Sequence, residues 1–251
     1  MRVPKFIQFG ITFTICLLTT ISCNEMRKDN ETPQDNKYHD MFIAHGGGAV
    51  EGYTKTNSLE GLNRAYMNGF RMFELDLQLT NDNKIVAVHD PIDMSEAEFL
   101  SQPIHEKLTP MNMEMINNWF ENHPDAIFVT DKINRPDLLA EQFKFKDRLI
   151  MELFSWEAIE EAIELGVTPM LSQINFWGTP NIEKIIDSLN IKIVGMHRDA
   201  IRNDTELLKR IKEKGIKTYV WFTKRSIDVE NRKHIFGKTT WIIATVCTPM
   251  I

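Results

Sequence analysis

Nine short apolar runs punctuate the chain, at residues 42–45, 72–79, 85–89, 126–131, 149–154, 168–173, 191–197, 218–222 and 241–245. Between most of them lie segments with apolar residues at helical spacing: 57–68, 113–122, 156–165, 182–189 and 204–214. Strands alternating with amphipathic helices predict parallel βα units. Nine strands are one too many for an eight-stranded barrel, and a geometric rule removes the extra one. The runs 72–79 and 85–89 are joined by a few residues, whereas a parallel crossover needs about a dozen or more. They are therefore expected to pair as an antiparallel hairpin that turns at Asn81-Asp82-Asn83. The predicted fold is α/β, a (β/α)8 TIM barrel with a β-hairpin extension after strand 2. A doubly wound open sheet is the alternative, but no Gly-x-Gly-x-x-Gly pattern opens a helix.

The first forty residues follow a different pattern. Arg2 and Lys5 form a basic start, the stretch 11–21 carries no charge, and Thr20-Ile21-Ser22 leads into Cys23. This reads as a signal peptide of lipoprotein type over residues 1–22, with Cys23 as the lipidated residue. An ordinary signal or an uncleaved anchor is the alternative. Residues 23–40 are polar and charged, as a flexible tether would be. The folded unit is then 41–251, enough for one buried core. The expected location is exported and membrane-anchored, periplasmic or at the cell surface.

Charge and cysteine content narrow the function. The formal net charge is −6, and loss of Arg2 and Lys5 with a signal would make it more negative. An acidic domain is a poor nucleic-acid binder. With Cys16 in the signal and Cys23 acylated, Cys247 is left alone, which excludes a disulfide framework or a cysteine metal cluster.

Candidate chemistry concentrates at strand ends. In Phe73-Glu74-Leu75-Asp76 the two acids are two residues apart, so they share one face of a strand. Two carboxylates converging this way suit a hard divalent cation. The hairpin brings His89 back to the same end, where barrels of this kind place their chemistry, and histidine moves protons near neutral pH. His45-Gly46-Gly47-Gly48 ends the first strand, and its amides can form an anion-binding concavity. Asp131 can complete a metal site with Glu74 and Asp76 while Lys132 offsets phosphate charge; a plain surface ion pair is the alternative. Glu152 lies in an apolar run, where an unpartnered carboxylate is costly. Trp221 is either a ligand wall or packing.

The order His45-Gly46, Thr56-Asn57-Ser58-Leu59-Glu60, Gly69, Glu74-Leu75-Asp76, Thr80 and His89-Asp90 resembles the glycerophosphodiester phosphodiesterase family, related to phosphatidylinositol-specific phospholipase C. Gly215 to Trp221 resembles that family's late-strand motif. The resemblance implies a (β/α)8 barrel, metal ligands at Glu74 and Asp76, and an acid–base pair of His45 and His89. It implies a small phosphodiester substrate cleaved with Ca²⁺ or Mg²⁺. Four positions depart from the family pattern. Gly46 stands where the family has Arg, Thr56 where it has Glu, Asp131 where a Glu two residues before Lys is usual, and Thr245-Val246 where Thr-Asp is customary. The likeness is therefore to a divergent branch, with Lys132 and the glycine-loop amides expected to share the anion. Two rivals are a glycosidase using the paired carboxylates and a non-catalytic or substrate-shifted surface lipoprotein that kept the barrel.

Overall fold

The computed structural model describes residues 42–173, 179–197 and 205–221 together with the backbone of 240–244. The expected signal at 1–22, the tether at 23–40 with Cys23, and Thr245-Val246 lie outside the described residues. In chain order the strands are β1 (Phe42–Ala44), β2 (Ala49–Val50), β3 (Tyr53–Thr54), β4 (Met72–Leu79), β5 (Ile85–Ala87), β6 (Ile127–Asp131), β7 (Leu149–Leu153), β8 (Thr168–Leu171), β9 (Ile193–His197), β10 (Lys217–Trp221) and β11 (Thr240–Ala244).

Eight of these strands pair in parallel around a closed ring. The order is β1-β11-β10-β9-β8-β7-β6-β4, and β4 pairs back onto β1. The ninth, β5, is antiparallel to β4 with Leu77 opposite Ala87 and Leu79 opposite Ile85. The expected barrel with a hairpin after its second strand is therefore the observed fold. Helices cover the outside, including Leu59–Met67, Met113–Asn122, Trp156–Glu164 and Ile182–Ser188.

Local chemistry sets where the helices start. Ser58, Asn112 and Ser155 each cap a helix by accepting an amide three residues on, which satisfies one of the orphan donors of the first turn. The first helix begins at Leu59, two residues later than its pattern suggests. Asn57 has left-handed backbone (φ 49°) and Ser58 is extended, so neither continues a helix. Two short helices, Glu96–Leu100 and Pro136–Gln142, were not expected; fewer than eight residues carry too little period to read. The β2–β3 ribbon, turning through Glu51-Gly52, also escaped the pattern.

Barrel strands such as β1, β4 and β7 are buried on both faces, as a helix-covered parallel sheet requires. Outward residues such as Phe73 and Phe128 pack with Trp119, Phe120 and Phe143 of the helical layer; Phe73 and Trp119 are 4.8 Å apart and Phe120 and Phe128 5.1 Å. Inward residues Ile43, Met72, Val129, Ile150, Met170, Ile193 and Tyr219 form a separate layer that fills the barrel. That plug is the floor of the site.

Candidate active site

Strand alternation turns the floor into a polar mouth. Two residues beyond the inner layer come His45, Glu74, Asp131, Glu152, Ser172, Gly195 and Trp221, one step further toward the C-terminal ends of their strands. Asp76 follows Glu74 on the same face of β4, and the β4–β6 register sets it opposite Asp131.

Glu74, Asp76 and Asp131 bring carboxylate oxygens within 4.8 Å of one another. Each is held by a different device. Glu74 Oε2 accepts the Gly46 amide at 2.7 Å. Asp76 Oδ2 accepts from Asn57 Nδ2 at 3.0 Å, and the Asp76 amide donates back to Asn57 Oδ1 at 3.1 Å. Asp131 accepts the Lys132 amide at 2.6 Å and pairs with Lys132 Nζ at 3.1 Å. The predicted alternatives at Asp131 thus coexist: the ion pair forms, and the acid still faces the other two.

The electrostatics of this cluster are unfavourable without a cation. Burial, with the charges of Asp76 and Asp131, drives Glu74 well above the carboxylate range. Burial also raises Asp76, against the Asn57 hydrogen bond and with the charge of Asp131. Among the described residues, two buried side-chain oxygens lack a partner, Glu74 Oε1 and Thr130 Oγ1. Thr130 alternates with the inward residues of β6, so Glu74 Oε1 is the orphan of the mouth. An unsatisfied oxygen among repelling carboxylates fits a hard divalent cation that takes oxygen ligands.

The two histidines flank the acids in different environments. His45 follows β1 and is half-buried. Burial, then the charges of Lys55, Lys132 and His89, lower it to about 3, so it is neutral at ordinary pH. His89 is exposed and follows β5; the Val88 amide donates to the Asp76 carbonyl at 2.9 Å, pinning the returning strand beside the acid. His89 Nδ1 lies 2.8 Å from Asp90 Oδ1. An ionised carboxylate only accepts, so Nδ1 carries the hydrogen and Nε2 is left for the mouth.

The opposite wall holds the remaining predicted residues. Glu152 is buried on β7; burial and then the charge of Asp131 push it up to about 8, with a Ser172 hydrogen bond opposing. A Cβ at Gly195 would lie 3.1 Å from Trp221 Cζ3 and 3.3 Å from Glu152 Oε1. The missing side chain lets Trp221 and Glu152 converge. Tyr219 lies under the acids, and burial with the charges of Glu74 and Glu152 keeps its hydroxyl protonated.

One predicted role is redirected. The Gly46 amide donates to Glu74 and the Gly48 amide to the His45 carbonyl at 3.0 Å, so these two amides are not offered to an anion. Lys55 and Gly195 were not singled out from sequence, while Asn57 and Tyr219 stood inside the quoted motifs without a role of their own. For Tyr219 a signal existed, because it lies two residues before Trp221 on one strand face. Asn57 had its place in the helix-opening motif, and Lys55 gave no signal.

Fold and mouth together define a class, a (β/α)8 barrel whose C-terminal face carries an acidic triad between two histidines. Residues 48–97 match the model of the glycerophosphoryl diester phosphodiesterase family. The matched stretch contains Glu74, Asp76 and His89, while His45 and Asp131 lie outside it. The structure is similar to that of a glycerophosphodiester phosphodiesterase from Parabacteroides distasonis, at TM-score 0.66 and 19% identity over 82% of this chain and 92% of that one. It is similar to one from Thermotoga maritima at TM-score 0.64 and 20% identity, covering 81% and 93%. It also resembles an Oleispira antarctica phosphodiesterase in complex with the product sn-glycerol-3-phosphate, at TM-score 0.62 and 16% identity, covering 81% and 92%. At these identities the likeness is one of fold. No curated protein matches the sequence.

Proposed function

We propose that the protein hydrolyses phosphodiesters with a divalent cation, Ca²⁺ or Mg²⁺, acting on glycerophosphodiesters or related phospholipid head-group diesters. The observation that carries this reading is the orphaned Glu74 Oε1 in a buried acidic triad between two histidines. Glu74, Asp76 and Asp131 would hold the cation, which when bound supplies positive charge to the phosphoryl oxygens.

The protein's own groups divide the proton work by environment. His45, kept neutral, takes the proton from the attacking hydroxyl as the new P–O bond forms. His89, its Nδ1 fixed by Asp90, gives a proton to the leaving alcohol oxygen as the old P–O bond breaks. The product of this step is a cyclic phosphate. As water opens it, His89 takes a proton from that water and His45 returns its proton to the departing hydroxyl oxygen, so both histidines end as they began. Lys132, whose charge is favoured by Asp131, Asp76 and Glu74 despite burial, faces the phosphate. Glu152 and Trp221 form the wall that meets the rest of the substrate.

The test is alcohol release from glycerophosphocholine and glycerophosphoinositol with each cation or with chelator. His89→Ala is expected to lose about 10²–10⁴-fold on these substrates but far less on a p-nitrophenyl diester, whose leaving group needs no proton. Equal losses on both would refute the acid role; no turnover of any phosphodiester would refute the function. The lipid anchor is a separate proposal supported by the sequence before Cys23, and Cys23→Ser should move the protein from membrane to soluble fraction.

A further inference from the structure

In an extended strand consecutive side chains point to opposite faces. Asp131, the last residue of β6, faces the mouth, so regular alternation would send Lys132 to the helical layer. Lys132 instead reaches back, with Nζ 3.1 Å from Asp131 Oδ2, and its charge bears on Asp76, Glu152 and His45. The backbone explains how. Lys132 has φ 71°, and across it the Ile133 amide donates to the Asp131 carbonyl at 3.0 Å. A bond of this kind around a positive φ makes the rare, strained form of γ-turn. The chain bends back at the strand end, and an acid and a lysine adjacent in sequence both reach one cluster.

A side-chain-bearing residue keeps such a conformation only where its surroundings over-determine it. On one side Asp131 is fixed by β6, opposite Asp76 of β4. On the other, Ile133 is buried in the core and Asn134 binds the exit of the neighbouring strand. Asn134 Oδ1 accepts the Phe154 amide at 2.9 Å, and Nδ2 donates to Ser155 Oγ at 3.1 Å. Ser155 Oγ in turn accepts the Ala158 amide at 3.2 Å and caps the helix Trp156–Glu164. Asn134 is thus tied to the corner where β7 gives way to that helix. Only Lys132 and Ile133 span the interval between the two fixed points.

We propose that Asn134 is a positioning residue of the mouth: its clasp on the β7 corner holds the turn at Lys132, and that turn aims Asp131 at the cation and Lys132 at the phosphate. Asn134 acts through the turn and not by contact with either ligand. The proposal rests on the cation reading of the triad, but its test does not depend on turnover. Glycine adopts positive φ without steric cost, so Lys132→Gly should keep the turn whether or not the clasp is present.

The experiment is a double-mutant cycle that reads Mg²⁺ binding by calorimetric titration and the Ile133 amide by hydrogen exchange. Asn134→Ala should weaken Mg²⁺ about tenfold and speed Ile133 exchange by about as much. In the Lys132→Gly background the same change should alter each by less than about twofold. A clasp that is structural only would lower stability in both backgrounds and leave the cation affinity of the folded protein alone. Mg²⁺ affinity in Asn134→Ala within about twofold of the parent, or equal losses in both backgrounds, would overturn the proposal. Failure of Asn134→Ala to fold while the double variant folds would support it, and failure of both would overturn it. A parent that binds no cation, yet shows Ile133 exchange dependent on the background, would uphold the turn device and remove the metal reading instead.

Discussion

Asn57 and Asp76 clasp each other through two hydrogen bonds, Asn57 Nδ2 to Asp76 Oδ2 at 3.0 Å and the Asp76 amide to Asn57 Oδ1 at 3.1 Å. Both side chains are buried, and the clasp ties the loop after the glycine run to the middle of β4. It fixes the rotamer of an acid that would otherwise turn away from its neighbours. Partners that orient metal ligands typically matter about 10–100-fold in affinity. Asn57→Ala should therefore weaken Mg²⁺ or Ca²⁺ by that amount, read by calorimetric titration, and cost about 1–3 kcal/mol of stability by leaving a buried amide unsatisfied. Unchanged cation affinity would show that the clasp is structural only.

Glu74 should behave in opposite ways with and without cation. In chelator, Glu74→Gln removes an acid that is buried among like charges, so the melting temperature should rise. With cation present the same variant should bind about 100-fold or more weakly, because Oε1 is no longer a carboxylate oxygen. A melt in chelator and in millimolar cation measures both, and a variant less stable than the parent in chelator would contradict the account.

Gly46→Ala should be strongly destabilising. The position has φ 54°, and the added methyl would press on the Lys55 backbone at 2.6 Å. Strain from the backbone conformation alone is about 1–3 kcal/mol, and the contact adds to it. Denaturant unfolding checks this, and Gly52→Ala is the control: that glycine also has positive φ but nothing within 4 Å of an added Cβ. Equal losses at both sites would mean that the crossing with Lys55 carries no cost.

Glu152 gives the cation-free protein a pH signature. Its folded value is raised from 4.5 to about 8 by burial and the charge of Asp131, so between those pH values the native state holds a proton that the unfolded chain has released. Stability therefore falls as pH rises through that window, by at most about 1.4 kcal/mol per unit for one proton. In chelator, denaturation midpoints from about pH 5 to 8 should decline less steeply in Glu152→Gln. The same slope in both proteins would show that Glu152 does not hold that proton.

The sequence by itself determined the barrel and half of its mouth. Alternation of apolar runs with amphipathic segments sets parallel units, and the short link between residues 79 and 85 forbids a parallel connection, so the extra strand had to become a hairpin. Spacing of two puts Glu74 and Asp76 on one face in any strand, and the hairpin returns His89 to their end. These properties are local, set by backbone geometry within a few residues. Only the tertiary structure decided the rest. The pairing of Asp76 with Asp131 depends on the β4–β6 register. The Asn57 clasp, the diversion of the Gly46 amide to Glu74 and the arrival of Lys55 beside His45 depend on two loops crossing at contact distance. Periodicity carries no information about such contacts, because they arise from closing the ring and from single left-handed loop residues that no repeating pattern of apolar positions encodes.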